Sequence, residues 1–172
     1  MHQPASLADR SREKTALYAS LLEEIEAVLE GERDHVARMA TVAAMLATAF
    51  EPFSWTGFYI VDPARGDQLV VGPYQGTLGC LRIDFGRGVC GTAAARRETL
   101  VVPDVDAFPG HIACDARSRS EIVVPVFDPS GALLAVLDVD SNALAAFDEA
   151  DARGLEDIIA RIFSAGGSGE EG

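Results

Sequence analysis

Residues 121–141 read EIVVPVFDPSGALLAVLDVDS. Two runs rich in aliphatic and β-branched residues, Glu121 to Phe127 and Ala132 to Val139, flank Asp128–Pro129–Ser130–Gly131. Asp, Pro, Ser and Gly are turn residues, so this stretch predicts an antiparallel hairpin. Working back from it, Trp55 to Val61 reads WTGFYIV, an aromatic and β-branched run that predicts another strand. Asp62 to Asp67 is a turn around Pro63 and Gly66. Leu69 to Val71, Leu81 to Ile83 and Leu100 to Val102 are short strand candidates, and Gly88 to Arg97 a short helix. Between them and the hairpin lies PDVDAFPGHIACDARSRS, residues 103–120. Irregular stretches of that length inside a domain are often functional.

Helical periodicity brackets the strands. Leu17, Leu21, Leu22, Ile25, Val28 and Leu29 share a face, and Gly31 follows as a stop. Asp34 is placed to cap a second helix carrying Val36, Met39, Val42, Met45 and Leu46. Asp148 is placed to cap a last one with Leu155, Ile158, Ile159 and Ile162 inward. The expected organisation is a flexible lead-in over 1–12, one domain over 13–164 and a disordered GGSGEEG tail within 165–172. Helices, then strands, then a hairpin and a helix read as an α+β domain, one antiparallel sheet with helices packed on one face.

A chain of 172 residues, 48% of them hydrophobic, buries a core without staples. Its net charge of -13 argues against nucleic acid and anionic membranes, which recruit Lys and Arg. No apolar run approaches the ~20 residues of a membrane span. MHQPASLADRSREK at the N-terminus lacks the apolar core of a secretory signal, so a cytoplasmic location is expected.

Cys80, Cys90 and Cys114 make an odd set, which argues against a disulfide scaffold. They are either buried small hydrophobes or reactive thiols. With His111 they offer three thiols and an imidazole for zinc, but no CxxC spacing supports that, and no metal is expected. Asp138 and Asp140 lie two apart on a strand, so they share a face while Leu137 and Val139 turn to the core. Carboxylates held together raise a proton affinity, and Glu121 has the same effect if it joins them. A solvent-facing acidic strand end is the plain alternative. Gly86, Gly88, Gly91 and Gly110 do not form GxGxxG, so nucleotide binding is not indicated.

From Trp55 onward the sequence resembles the free methionine-(R)-sulfoxide reductases, a branch of the GAF-domain superfamily. The blocks that carry the likeness are WTGFY (55–59), GPYQG (72–76), FGRGVCGTAA (85–94), DVDAFPGHIACDARSRSEIVVP (104–125) and LDVDS (137–141). The resemblance implies a GAF-like six-stranded antiparallel sheet and a homodimer. It implies Cys114 as the catalytic cysteine, Cys80 as the cysteine that resolves it by disulfide formation, and Cys90 as a third that can pair with it. Glu121, Asp138 and Asp140 match active-site carboxylates, and Trp55 a substrate-facing tryptophan.

The chemistry suits these residue types. A sulfoxide sulfur becomes electrophilic once its oxygen takes a proton, so reduction needs a thiolate and a proton donor. A free thiol of pKa ~8.5 is only a few per cent thiolate at neutral pH. Arg117 and Arg119 near Cys114 would raise that fraction, unless they pair with nearby acids at the surface. The expected reaction leaves a sulfenic acid on Cys114, which condenses with Cys80. The disulfide is then reduced by a thioredoxin-type dithiol, and no cofactor is required. Two rival readings are a GAF sensory module that binds a small ligand without catalysis and an interaction domain with structural cysteines.

Overall fold

In the computed structural model, which describes residues 6–112 and 114–165, the hairpin is the spine of the sheet. Six strands are involved: β1 (Trp55–Val61), β2 (Gln68–Gln75), β3 (Arg82–Asp84), β4 (Leu100–Val102), β5 (Ser120–Phe127) and β6 (Leu133–Ser141). They lie in the order β3-β2-β1-β6-β5-β4, and every neighbouring pair is antiparallel. The Asp128 carboxylate accepts from the backbone N–H groups of Ser130 and Ala132 at 2.8 and 3.1 Å, closing the turn.

Alternation along the strands separates two cores. Phe58, Ile122, Val124, Leu137 and Val139 face one side. Trp55, Tyr59, Val123 and Val136 face the other. Both sides are covered, which is why β5 and β6 read as nearly continuous apolar runs. On the first side α2 (His35–Ala49) lies against β1 and β2, and α4 (Glu149–Ile159) against β5. α1 (Leu7–Val28) rests on α4 and α2. The short α3 (Gly88–Arg96) crosses the second side over β5 and β6. Helices on one face therefore describes α1, α2 and α4, while α3 covers the face that carries the site.

The lead-in expected over 1–12 is helical from Leu7 onward. Ser6 and Asp9 form a capping box, the Ser6 hydroxyl accepting from the Asp9 N–H at 3.1 Å. Leu17 and Val28 are exposed at 40% and 62%, and Tyr18 takes the inward position instead. Its hydroxyl donates to Asp151 Oδ1 at 2.8 Å, and Lys14 Nζ reaches Asp151 Oδ2 at 2.5 Å. A ring with a polar tip thus satisfies the Oδ1 of a buried acid, which leucine would leave without that donor. Asp34 and Asp148 cap α2 and α4 as expected. The chain beyond 165 lies outside the described residues. None of the described helices is long and apolar enough to cross a membrane.

The α1–α4 contact needs Gly154, because a Cβ there would run into the Tyr18 ring. Gly154→Ala gains about 1 kcal/mol of helix propensity. It should nonetheless destabilise, because overpacking costs about 1–3 kcal/mol. A melting temperature several degrees lower is the expected result; an unchanged one would mean that the Tyr18 ring steps aside freely.

Candidate active site

The register of the hairpin assembles the floor of a pocket on the α3 side. Glu121 pairs with Asp140 and Val123 with Asp138, so all three acids project to one face. Leu137 and Val139 point the opposite way and are fully buried, as the spacing predicts. Glu121 and Asp138 are each 6% exposed. Cys90, on α3, donates its thiol hydrogen to Glu121 Oε1 across 3.7 Å. His111 Nε2 lies 3.9 Å from Glu121 Oε2. Ser118 Oγ donates to Asp140 Oδ1 at 2.5 Å. Asp138 Oδ1 is buried with no protein partner among the described residues.

Burial and mutual repulsion keep protons on this cluster. Burial, then the charge of Asp140, pushes Glu121 up to about 8. Burial, then the charges of Asp140 and Glu121, pushes Asp138 well above the carboxylate range. Asp140 rises only to about 6, because the Ser118 hydrogen bond opposes burial. At neutral pH the floor thus holds both protonated and ionised carboxyls. Burial and the neighbouring acids also push the Cys90 thiol well up, so Cys90 is a poor nucleophile.

Trp55 forms the wall. Its ring stacks on Tyr59 and Tyr74 at 5.6 and 5.0 Å between centroids, and its indole N–H donates to the Thr77 carbonyl at 2.9 Å. The loop after β2 lies along the indole edge. A Cβ at Gly76 would come within 2.6 Å of Trp55 Cδ1, and Gly76 has a φ of +132°, so only glycine suits the position. That loop carries Cys80 to the mouth of the pocket, where it forms a disulfide with Cys114, 34 residues on. Cys114 is exposed and Cys80 half-buried. The space between the walls is about 590 Å³, counting its open mouth.

All seven residues singled out from the sequence meet here: Trp55, Cys80, Cys90, Cys114, Glu121, Asp138 and Asp140. The arginines behave otherwise. Arg117 is committed to Asp115 through Nε at 3.1 Å and Nη2 at 3.0 Å, and the Arg119 side chain is exposed. Arg117 thus follows the surface-pairing alternative. The disulfide also uses two of the donors weighed for zinc. Sequence reading missed Tyr59 and Ser118. Tyr59 shares the face of Trp55 at period two, a signal that was available; Ser118 had none, because its partner lies on another element. Together the parts bring exchangeable protons, an apolar aromatic wall and redox-active sulfur to one small cavity.

Comparison with known proteins agrees with this arrangement. The model of the GAF domain family matches residues 34–163. GAF domain-containing protein A of Dictyostelium discoideum is 49% identical over 146 residues, 85% of this chain and 90% of that protein. Free methionine-R-sulfoxide reductase of Escherichia coli is 42% identical over 149 residues, 87% of this chain and 88% of that protein. The X-ray structure of free methionine-R-sulfoxide reductase from Neisseria meningitidis in complex with its substrate superimposes with a TM-score of 0.81 at 52% identity. That match covers 94% of this chain and 91% of the Neisseria chain. A GAF fold, a pocket pairing a disulfide with buried acids, and identity of this extent over nearly the whole chain lead to one conclusion: the chain belongs to the free methionine-R-sulfoxide reductase family of GAF-domain proteins.

Proposed function

We propose that the protein reduces free methionine-(R)-sulfoxide to methionine by thiol–disulfide chemistry. The observation that carries this reading is the Cys80–Cys114 disulfide at the mouth of a pocket floored by protonated carboxyls. In the reduced enzyme the Cys114 thiolate attacks the sulfoxide sulfur. Glu121 donates a proton to the oxygen. The oxygen passes from the substrate sulfur to Cys114 as the transient bond between the two sulfurs breaks, so methionine leaves and Cys114 is left as a sulfenic acid. The Cys80 thiol then attacks the Cys114 sulfur, forming the disulfide and releasing water. Cys90 stays as a buried, protonated neighbour of Glu121. The S-methyl group packs on the Trp55 indole. Asp140, ionised near neutrality, and the unpartnered Asp138 Oδ1 receive the substrate ammonium.

The exposed disulfide must be reduced from outside, and a thioredoxin-type dithiol is the fitting donor. We also propose a single catalytic domain within 13–164, a homodimer and a cytoplasmic location. These rest on the family resemblance and on the reducing surroundings the cycle requires.

Substrate choice tests the reading. A sulfoxide within a peptide carries no ammonium, so its binding would leave the acids unpaired, a cost of roughly 2–5 kcal/mol. That corresponds to ~30-fold discrimination or more. Free methionine-(R)-sulfoxide should therefore exceed its N-acetylated, C-amidated form in kcat/KM by at least that factor, and should exceed the S epimer. Equal rates on free and blocked substrates would remove the closed-pocket argument. Binding without turnover would favour a sensory module instead.

A further inference from the structure

We propose that Thr77 and Asp115 are positioning residues for the second chemical step, a clasp that holds the Cys80 and Cys114 loops together when no disulfide joins them. The proposal deepens the reductase reading and rests on it.

The two sulfurs belong to separate loops, 34 residues apart in the chain. One side-chain hydrogen bond also bridges those loops: Thr77 Oγ1 donates to Asp115 Oδ2 at 2.9 Å. Thr77 lies three residues before Cys80, and Asp115 directly follows Cys114. Each end is itself anchored. The Thr77 carbonyl accepts from the Trp55 indole at 2.9 Å, which ties the first loop to the pocket wall. The Asp115 carboxylate accepts the Arg117 N–H at 2.9 Å and the Arg117 guanidinium at 3.1 and 3.0 Å. The line Trp55–Thr77–Asp115–Arg117 thus runs from wall to loop to loop without using either sulfur.

This matters for rate. Disulfide formation here is intramolecular, so it scales with the fraction of time the Cys80 thiol spends within reach of the Cys114 sulfenic acid. The step forms the sulfur–sulfur bond and breaks the sulfur–oxygen bond. The hydroxyl departs with the thiol proton as water, and the sulfoxide has already supplied the oxidising equivalent. Attack on the substrate needs Cys114 alone and precedes this step. Loosening the clasp should therefore slow resolution and spare methionine release. A sulfenic acid left waiting is open to irreversible oxidation, which gives the clasp a protective value.

Single turnover of the fully reduced, full-length enzyme with free methionine-(R)-sulfoxide separates the steps. Methionine release reports the first, and loss of free thiols with dimedone capture of sulfenic acid reports the second. Thr77→Val keeps the side-chain shape and removes the donor. It should release methionine at the wild-type rate, form the disulfide roughly fivefold more slowly and trap more dimedone, given the usual worth of one hydrogen bond. Thr77→Ser should restore the wild-type rate. The Thr77→Val/Asp115→Asn pair should resolve no more slowly than the slower single variant, because both act through one contact. Resolution at the wild-type rate in Thr77→Val would overturn the clasp, as would equal slowing of both steps. Wild-type enzyme that releases no methionine would overturn the reductase reading itself, which is a distinguishable result.

Discussion

Replacing Cys114 with serine should abolish reduction of free methionine sulfoxide, with a fall of at least about a thousandfold in kcat/KM. A hydroxyl is a far weaker nucleophile than a thiol near neutral pH, and neither remaining cysteine is placed to take over. Cys90 is buried against Glu121, and burial with the nearby acids keeps its proton on. Cys80 sits on the loop along the Trp55 edge, half-buried where Cys114 is exposed, and in the proposed cycle it resolves rather than attacks. Cys80→Ser should behave differently: about one equivalent of methionine released per site, then a stall with the thioredoxin system, because Cys114 remains as a sulfenic acid. Thin-layer or mass-spectrometric counting of methionine in one turnover separates the variants. Wild-type turnover by Cys114→Ser would make the assigned nucleophile wrong.

Glu121→Gln should lower the rate of methionine release by ~10²–10⁴-fold, the usual worth of a general acid. The amide matches the carboxyl in shape but has no proton to give. The pH profile carries the sharper test. With Glu121 held up to about 8, the wild-type single-turnover rate should lose its acid contribution as pH rises through that value. In Glu121→Gln that limb should vanish along with most of the rate. Stability should move as well. A carboxyl raised from its ordinary value near 4.5 to about 8 binds more protons folded than unfolded between those limits, so stability falls as pH rises across that window. Glu121→Gln removes this slope. Relative to wild type the variant should therefore gain stability between pH 5 and pH 8, as chemical denaturation at the two values would read. A variant with full activity and an unchanged pH slope would return Glu121 to a structural role.

The parts legible in the sequence were those governed by local geometry. Period-two alternation in LDVDS sends Asp138 and Asp140 to one face and Leu137 and Val139 to the other, whatever the sheet packs against. The DPSG break defines the hairpin, and Asp34 and Asp148 mark helix starts through their own backbone contacts. Local pattern also misled in places. Leu17 looked inward by spacing, yet Tyr18 is buried, because α4 offers Gly154 as a recess and Asp151 as a partner for the hydroxyl.

Packing between elements distant in the chain sets how far each carboxyl is buried, and hence which holds its proton. Proton affinity here comes first from desolvation, and the charge effects run both along β6, from Asp140 to Asp138, and across to Glu121 on the neighbouring strand. The same packing also sets which cysteines meet. Three thiols on separate elements allow three pairings, and the packing of the Gly76–Cys80 loop along the Trp55 edge brings Cys80 to Cys114 while α3 turns Cys90 toward Glu121. Alternation and capping are properties of a few consecutive residues and survive in the string of letters. Burial and the meeting of distant loops are sums over contacts far apart in the chain, and they exist only once the sheet has closed over its two cores.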